Sequence, residues 1–380
     1  MPERVISRDG WVSADLPLRT TGKNSGECVV QHGYPLRHSV ILRLLSETRS
    51  EAPVIRMKTV VVLGGYGNFG KRICETLAQD SGIRLLCSGR HSDKARTLVA
   101  QLQPSAKAEL QAVALDINAA DFCAQLQDLT PFLVIHTGGP FQGQNYRVAE
   151  ACIAVGAHYL DLADDRRFVC DITLLNKQAE DAGVQIISGA SSVPGLSSAV
   201  IEHYQSDFRQ IDSIDIAIAP GNQAERGEAT LRGILSYTGR PFSVFEQGRV
   251  RTVYGWMNSR RKYFGPRLGW RWLANVDVPD LELFPAQFAV TERVRFQASL
   301  ELTFLHFSML AMASLARLRL IKNWAPATAL IYRMSHWFSK LGSADGAMQI
   351  DIAGLNTQGA ASRLCWRLEA YDGIGPFIPI

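Results

Sequence analysis

No hydrophobic run in this 380-residue chain reaches the ~20 residues that a bilayer-spanning helix needs. The longest uncharged apolar stretch, 302–316, carries His306 and Ser308 and reads as a buried or interface helix. The first 56 residues hold no apolar h-region, and Glu3, Asp9 and Asp15 do not suit a transit peptide. Cysteine is unpatterned: seven residues, at 28, 74, 87, 123, 152, 170 and 365, never occur as C-x-x-C. That suggests neither a disulfide framework nor a zinc site or other metal site, and it fits a reducing, cytoplasmic compartment. Charge of one sign is also lacking, since 40 Lys+Arg against 36 Asp+Glu leave +4, too small a surplus to imply nucleic acid. With 47% hydrophobic and 20% charged residues the chain reads as a folded protein, and its length suits two domains of ~100 to 200 residues.

What the chain does have begins near Met57. Residues 1–56 read as an N-terminal extension, disordered or the product of a misplaced start, with an amphipathic helix at 36–45 as its one feature. From Thr59 onward short β-branched runs alternate with segments of helical period, the pattern of a parallel sheet with crossover helices. Strands are expected at 59–63, 83–87, 110–114, 132–136, 158–162 and 184–188, and helices at 68–79, 92–102, 119–126, 144–155 and 169–181. The fold class is therefore α/β: a doubly wound Rossmann domain over 57–205, with a second, α+β domain to follow.

The first strand runs into Gly65-Tyr66-Gly67-Asn68-Phe69-Gly70, a G-x-G-x-x-G placed immediately before a helix. Its glycines permit a tight turn, close approach of backbone to a pyrophosphate, and tight helix–strand packing. Twenty residues past Gly70, where an NAD enzyme places an acid for the ribose, the chain reads Ser88-Gly89-Arg90. A guanidinium pairs with a 2′-phosphate and a serine donates to it, which favours NADP over NAD. Asp116, after the third strand, stands either near the adenine or as a helix cap. The fourth strand ends in Thr137-Gly138-Gly139-Pro140-Phe141, and Gly138, Gly139 and Pro140 suit a backbone that passes close to the nicotinamide half. The sixth ends in a small-residue loop before a helix at 196–204; there Ser191, Ser192, Pro194 and Gly195 offer either a second anion-binding turn or a plain loop.

In combination, the glycine loop, Ser88-Gly89-Arg90, Gly139-Pro140-Phe141, Tyr159-Leu160-Asp161 and the Pro194-Gly195 turn resemble the saccharopine dehydrogenase-like family of NADP-binding oxidoreductases. The resemblance runs from Met57 to the C-terminus. It implies a Rossmann domain, an α+β domain with substrate and dimer contacts, and hydride exchange with imines or secondary amines of amino acids. It also implies Asp161 as a polar group in the cleft, whereas the residues alone allow it to be a local partner of Arg166 or Arg167. Where saccharopine-forming relatives place Asp before the Pro-Gly turn, this chain has Val193, so an ammonium-binding role does not transfer.

After Tyr204 the crossover rhythm stops, and 211–219 alternates Ile with Asp or Ser as a strand of a separate sheet. Residues 206–355 are expected to form the α+β substrate and dimerisation domain, and 356–380 a C-terminal return segment, which the resemblance leads one to expect truncated, since relatives continue with a further helix. Segment 240–272 carries eight basic residues against Glu246, interleaved with aromatics. It lines a cleft for an anionic substrate, lies on an acidic membrane, or is a solvated sheet face. Helices at 298–321 and 326–341 and strands at 347–353 and 362–370 complete the domain. Three functions remain open: an NADP-dependent oxidoreductase acting as a homodimer on a small C=N or C=O substrate; a catalytically silent NADP-binding regulator; and a membrane-peripheral protein. No catalytic acid is evident, and none of the ten Tyr begins a Tyr-x-x-x-Lys pair.

Overall fold

The computed structural model describes the backbone of Val29–His32 and residues 57–225 and 227–375. Strand β1 (Val29–His32) belongs to the second sheet, so the N-terminal region has a feature besides the expected helix at 36–45, which lies outside the described residues. The first sheet comprises β2 (Lys58–Leu63), β3 (Ile83–Gly89), β4 (Glu109–Ala114), β5 (Leu133–His136), β6 (His158–Asp161) and β7 (Ile186–Ile187). All pairings are parallel, in the order β4-β3-β2-β5-β6-β7. The order reverses beside β2, which leaves a crevice at the carboxyl ends of β2 and β5.

Alternate residues of each central strand enter different cores. Val60 and Val62 of β2 pack with Ile83, Leu85 and Leu133 on one face, and Val61 and Leu63 pack with Leu86 and Val134 on the other. Burial on both faces is why these strands read as unbroken apolar runs. Helices α1 (Asn68–Leu77) and α2 (Ser92–Leu102) cover the first face, and α3 (Phe122–Asp128) and α4 (Arg147–Val155) the second. In α1 the buried positions are Gly70, Ile73, Cys74 and Leu77, one helical stripe. The expected fifth crossover helix is broken into α5 (Arg166–Cys170), a 3₁₀ turn and α6 (Asn176–Asp181). The expected strand at 184–188 shortens to the two residues of β7.

Helix α7 (Ser197–Tyr204) leads into β8 (Phe208–Ala219) and the second sheet. Beyond β8 come α8 (Glu228–Tyr237), β9 (Pro241–Glu246), β10 (Arg249–Tyr254), β11 (Arg260–Tyr263), β12 (Trp270–Asn275), α9 (Asp280–Gln287) and β13 (Arg293–Ser299). Then follow α10 (Thr303–Arg317), α11 (Thr328–Ser335), β14 (Gly346–Asn356) and β15 (Ala361–Ala370). The mixed, nine-stranded sheet runs β1-β15-β14-β8-β13-β12-β11, with β9 pairing β10 and β13. Residues 298 and 299, expected in a helix, end strand β13 instead. Ile214 and Ile216 of β8 join Ile350, Ile352, Val294 and Phe296 in a core roofed by helix residues such as Ile201, Leu281 and Phe284. The opposite face is ionic: Arg293 holds Asp215 through two bonds of 2.6 and 3.2 Å, and Lys262 pairs with Asp351.

Three of the eight cations of segment 240–272 are paired with carboxylates inside the domain: Lys262 with Asp351, Arg267 with Asp345 at 2.7 Å, and Arg271 with Glu301 at 3.1 Å. Arg260 bonds to the neutral amide of Gln297, and Arg261 lies over the Trp270 and Trp272 rings. Cysteines 74, 87, 123, 152 and 170 are free thiols, whereas Cys365 on β15 is disulfide-bonded, against the expectation of an unpaired set.

Candidate cofactor site

The glycine turn between β2 and α1 is closed on itself. Gly64 has φ +79°, a conformation that a Cβ would strain. Gly65 N–H donates to the Ser88 carbonyl at 2.8 Å, tying the turn to β3, and Gly67 N–H donates to the Gly64 carbonyl at 2.8 Å. A Cβ on Gly65 would lie 3.2 Å from Ser88 N and from Val62 O, and one on Gly70 only 2.2 Å from Gly64 O. Gly67 differs: it is exposed, and a Cβ there would meet Gly64 O alone, at 3.0 Å. Gly65 and Gly70 are thus demanded by the chain's own packing, while Gly67 presents bare backbone at a helix N-terminus. A pyrophosphate requires such a surface, and these residues fit NADP.

The side chains around the turn are engaged more locally than the motif suggests. Tyr66 folds over Gly89, where a Cβ would fall 2.6 Å from its ring, and its hydroxyl accepts from His91 N–H at 3.0 Å. With its amide nitrogen turned toward Glu225, Asn68 donates to both carboxylate oxygens at 3.0 and 3.1 Å, so its side chain does not face a cofactor. Phe69 is half-buried in the first turn of α1. Ser88 is a correction: it is fully buried and its hydroxyl donates to Val62 O at 3.0 Å, so it is not a phosphate donor. Arg90, directly after β3, is exposed with no ion pair among the described residues. Beside it, Lys94 is exposed with its Nζ 5.9 Å from the Tyr66 ring centroid. The sequence signal for Lys94, a second cation at the start of α2, was present and went unread. Asp116 accepts from Asn118 N–H at 3.0 Å in a local turn, and it does not cap α3, which begins at Phe122 with Asp121 before it.

At the end of β5, Thr137 Oγ1 donates to Leu63 O at 2.8 Å and approaches Gly64 O at 3.2 Å, joining this strand end to the glycine turn. Gln144 Nε2 donates to the carbonyls of Gly138 and Pro140 at 2.9 and 2.7 Å. Gly139 is exposed, with no atom closer than 3.7 Å to an added Cβ. Behind this segment lies a buried polar chain that sequence reasoning missed. His136 Nδ1 is 3.2 Å from Tyr159 Oη, and His136 Nε2 has no hydrogen-bond partner among the described residues.

Asp161 does not line a cleft. It is fully buried, and its Oδ1 accepts from Ala163 N–H, Gly189 N–H and Ser188 Oγ, each at 2.9 Å. Burial pushes its carboxyl up, against hydrogen bonds that hold it down. Nor does it partner the nearby arginines: Arg166 reaches Asp277 at 3.1 Å and Glu282 at 2.7 Å, and Arg167 pairs with Asp171. In the next loop Ser191 Oγ donates to Val193 O at 3.0 Å, and a Cβ on Gly195 would lie 3.1 Å from Gly189 O. The Pro194 carbonyl accepts from Ser197 Oγ, which also donates to Asp280 on α9. Ser191, Pro194 and Gly195 therefore form a joint to the second sheet's helices rather than an open anion turn; Ser192 is half-buried, and its side chain makes no hydrogen bond among the described residues.

Two buried groups give opposing pH dependences. Burial pushes Asp280 up to about 7, against the Ser197 hydrogen bond, so the folded chain binds a proton that the unfolded chain releases near pH 4. Stability from this group is full below pH 4 and falls as pH rises to 7, by at most about 4 kcal/mol. Burial pushes His136 down to about 4, so its contribution is full above pH 6.5 and is lost as pH falls toward 4, by at most about 3 kcal/mol. Urea midpoints measured from pH 4 to 7 should therefore acquire a rising slope in Asp280→Asn and a falling slope in His136→Gln. Identical profiles for both variants and wild type would contradict the two assignments.

Comparison with known proteins agrees with this geometry. Residues 60–187 match the model of the saccharopine dehydrogenase NADP binding domain. A protein of Mycobacterium tuberculosis (strain ATCC 25618 / H37Rv) that carries the name trans-acting enoyl reductase is 30% identical over 151 residues, which are 38% of this chain and 35% of the relative. A counterpart in strain CDC 1551 / Oshkosh matches equally. The chain thus spans about a third of the length of the curated relatives it matches. Among solved structures, apo saccharopine dehydrogenase (L-Glu forming) from Saccharomyces cerevisiae superposes with a TM-score of 0.60. That match covers 85% of this chain and 88% of the yeast chain at 13% identity, and it shows a common fold.

Proposed function

We propose that this chain, whose residues 60–187 match the saccharopine dehydrogenase NADP binding domain, is an NADP-dependent oxidoreductase of the saccharopine dehydrogenase-like family acting on a small C=N or C=O substrate. The carrying observation is the pairing of an exposed Gly67 backbone at the α1 N-terminus with an exposed Arg90 at the end of β3 that has no ion pair among the described residues. In this reading Gly65, Gly67 and Gly70 shape the pyrophosphate seat, and Arg90 with Lys94 binds the 2′-phosphate. Gly138, Gly139 and Pro140, braced by Gln144, hold the nicotinamide half. The bound cofactor supplies the hydride. The protein's part is to seat it and keep the strand end rigid: Thr137 ties that end to the glycine turn, and neutral His136 and Tyr159 back it. We assign no catalytic acid.

Residues 57–205 then serve as the nucleotide domain, 206–355 as the substrate and dimer domain, and β15 extends the latter's sheet. A homodimer in the cytoplasm is part of the same proposal. The relative's name adds an enoyl C=C to the candidate substrates. The test is NADPH oxidation by purified protein against keto acids with amines, carbonyl compounds and enoyl thioesters, beside a binding titration. Turnover with any class supports the oxidoreductase; saturable binding with no turnover across the panel transfers the protein to the silent regulator.

A further inference from the structure

Helix α10 is amphipathic the wrong way round for a helix that ends at its own core. His306, Met309 and Ala313 point inward and are buried, while Phe304, Phe307, Ala311, Leu315 and Leu318 form an exposed apolar stripe. Helix α11 and the turn after it continue this face with Leu330, Met334, Trp337 and Leu341, of which Trp337 is 73% exposed. The face is continuous: Phe304 meets Phe338 with ring centroids 5.1 Å apart, and Phe307 meets Trp272 at 5.4 Å. Trp270, 56% exposed, extends it on β12, with the Arg261 guanidinium 5.3 Å from its ring centroid. Isolated exposed apolar residues are ordinary, but a contiguous face of this kind marks an interaction surface.

Its charge selects the partner. Residues 303–343 contain Arg317, Arg319, Lys322, Arg333 and Lys340 and not one Asp or Glu. A second copy docked through a two-fold axis would bring this acid-free surface against itself, and like charges would oppose the contact. Residues 1–56 are no better matched, since they carry eight Lys or Arg against six Asp or Glu. An anionic lipid surface complements both features, taking the aromatic and aliphatic side chains at the headgroup level and the cations among the phosphates. Among the described residues no helix is long and apolar enough to cross a membrane, so the chain would lie on the bilayer and not through it. We propose that the α10–α11 face docks the protein on anionic membrane surfaces.

Flotation of the full chain with lipid vesicles tests this. The protein should float with phosphatidylcholine vesicles containing about 30 mol% phosphatidylglycerol, stay at the bottom with pure phosphatidylcholine, and detach in ~0.5 M NaCl. Leu330→Ser with Trp337→Ser, and separately Arg319→Glu with Lys322→Glu, should each cut the floated fraction at least about fivefold. NADPH affinity should stay at the wild-type value in both, which shows that the variants are folded. Flotation indifferent to phosphatidylglycerol, or unchanged in both variants, would overturn the proposal. So would a dimer in sedimentation velocity that the Leu330→Ser, Trp337→Ser variant dissolves while wild type ignores vesicles, an outcome that gives the face to a second copy.

Discussion

Gly70→Ala is expected to abolish NADPH binding at accessible concentrations and to destabilise the nucleotide domain. The added Cβ would sit 2.2 Å from Gly64 O and 2.8 Å from both Gly64 C and Thr137 Oγ1. Two of those atoms are backbone, so the turn itself must open, and overpacking of this kind costs about 1 to 3 kcal/mol or more. Opening the turn also breaks the Thr137 link to the end of β5. Gly67→Ala separates the two roles. Its Cβ meets a single atom at 3.0 Å, so the variant should keep wild-type stability yet lose NADPH affinity about tenfold, near 1.4 kcal/mol. Fluorescence titration with thermal melts on both variants is the check. Wild-type affinity in Gly70→Ala, or in a folded Gly67→Ala, would show that the pyrophosphate binds elsewhere.

Arg90→Ala should weaken NADPH binding roughly ten- to a hundredfold and leave NADH almost unaffected, because only NADP carries the 2′-phosphate. A charge-assisted, often bidentate pair of this kind is worth about 1.5 to 3 kcal/mol. Among the described residues Arg90 has no ion pair to break first, so its guanidinium is open to a phosphate. Arg90→Asp should go further, since a carboxylate repels the phosphate. Lys94, on the adjacent turn of α2, sets a floor: some preference for NADPH should survive in Arg90→Ala and vanish when Lys94→Ala is added. Equal losses for both cofactors in Arg90→Ala would mean that the side chain acts on something other than the 2′-phosphate.

The nucleotide domain was legible because its signals are local. Alternation between β-branched runs and helical stripes located all six strands to within two residues at each end, and the glycines announced a turn that the packing indeed requires at Gly65 and Gly70. Long-range pairing hid the rest. Ser88 looks like a phosphate donor until the Val62 carbonyl, 26 residues away, accepts its hydrogen bond. Asp161 looks like a cleft carboxylate until Ser188 and Gly189 close over it. Three of the eight cations of 240–272, Lys262, Arg267 and Arg271, look unbalanced because their partners Asp351, Asp345 and Glu301 lie far along the chain. Val29–His32 carries little strand signal of its own, and only its register with 366–369 of β15 makes it one. Helix α10 was read as apolar, but nothing local could tell which of its faces would remain uncovered.

The proposed function rests on NADPH binding through its 2′-phosphate at the end of β3. Parallel titrations of the wild-type protein with NADPH and NADH, followed by quenching of its tryptophan fluorescence, measure this. Saturable binding of both is expected, with NADPH tighter by at least about tenfold. Equal affinities, tighter NADH, or no binding of either cofactor would contradict it.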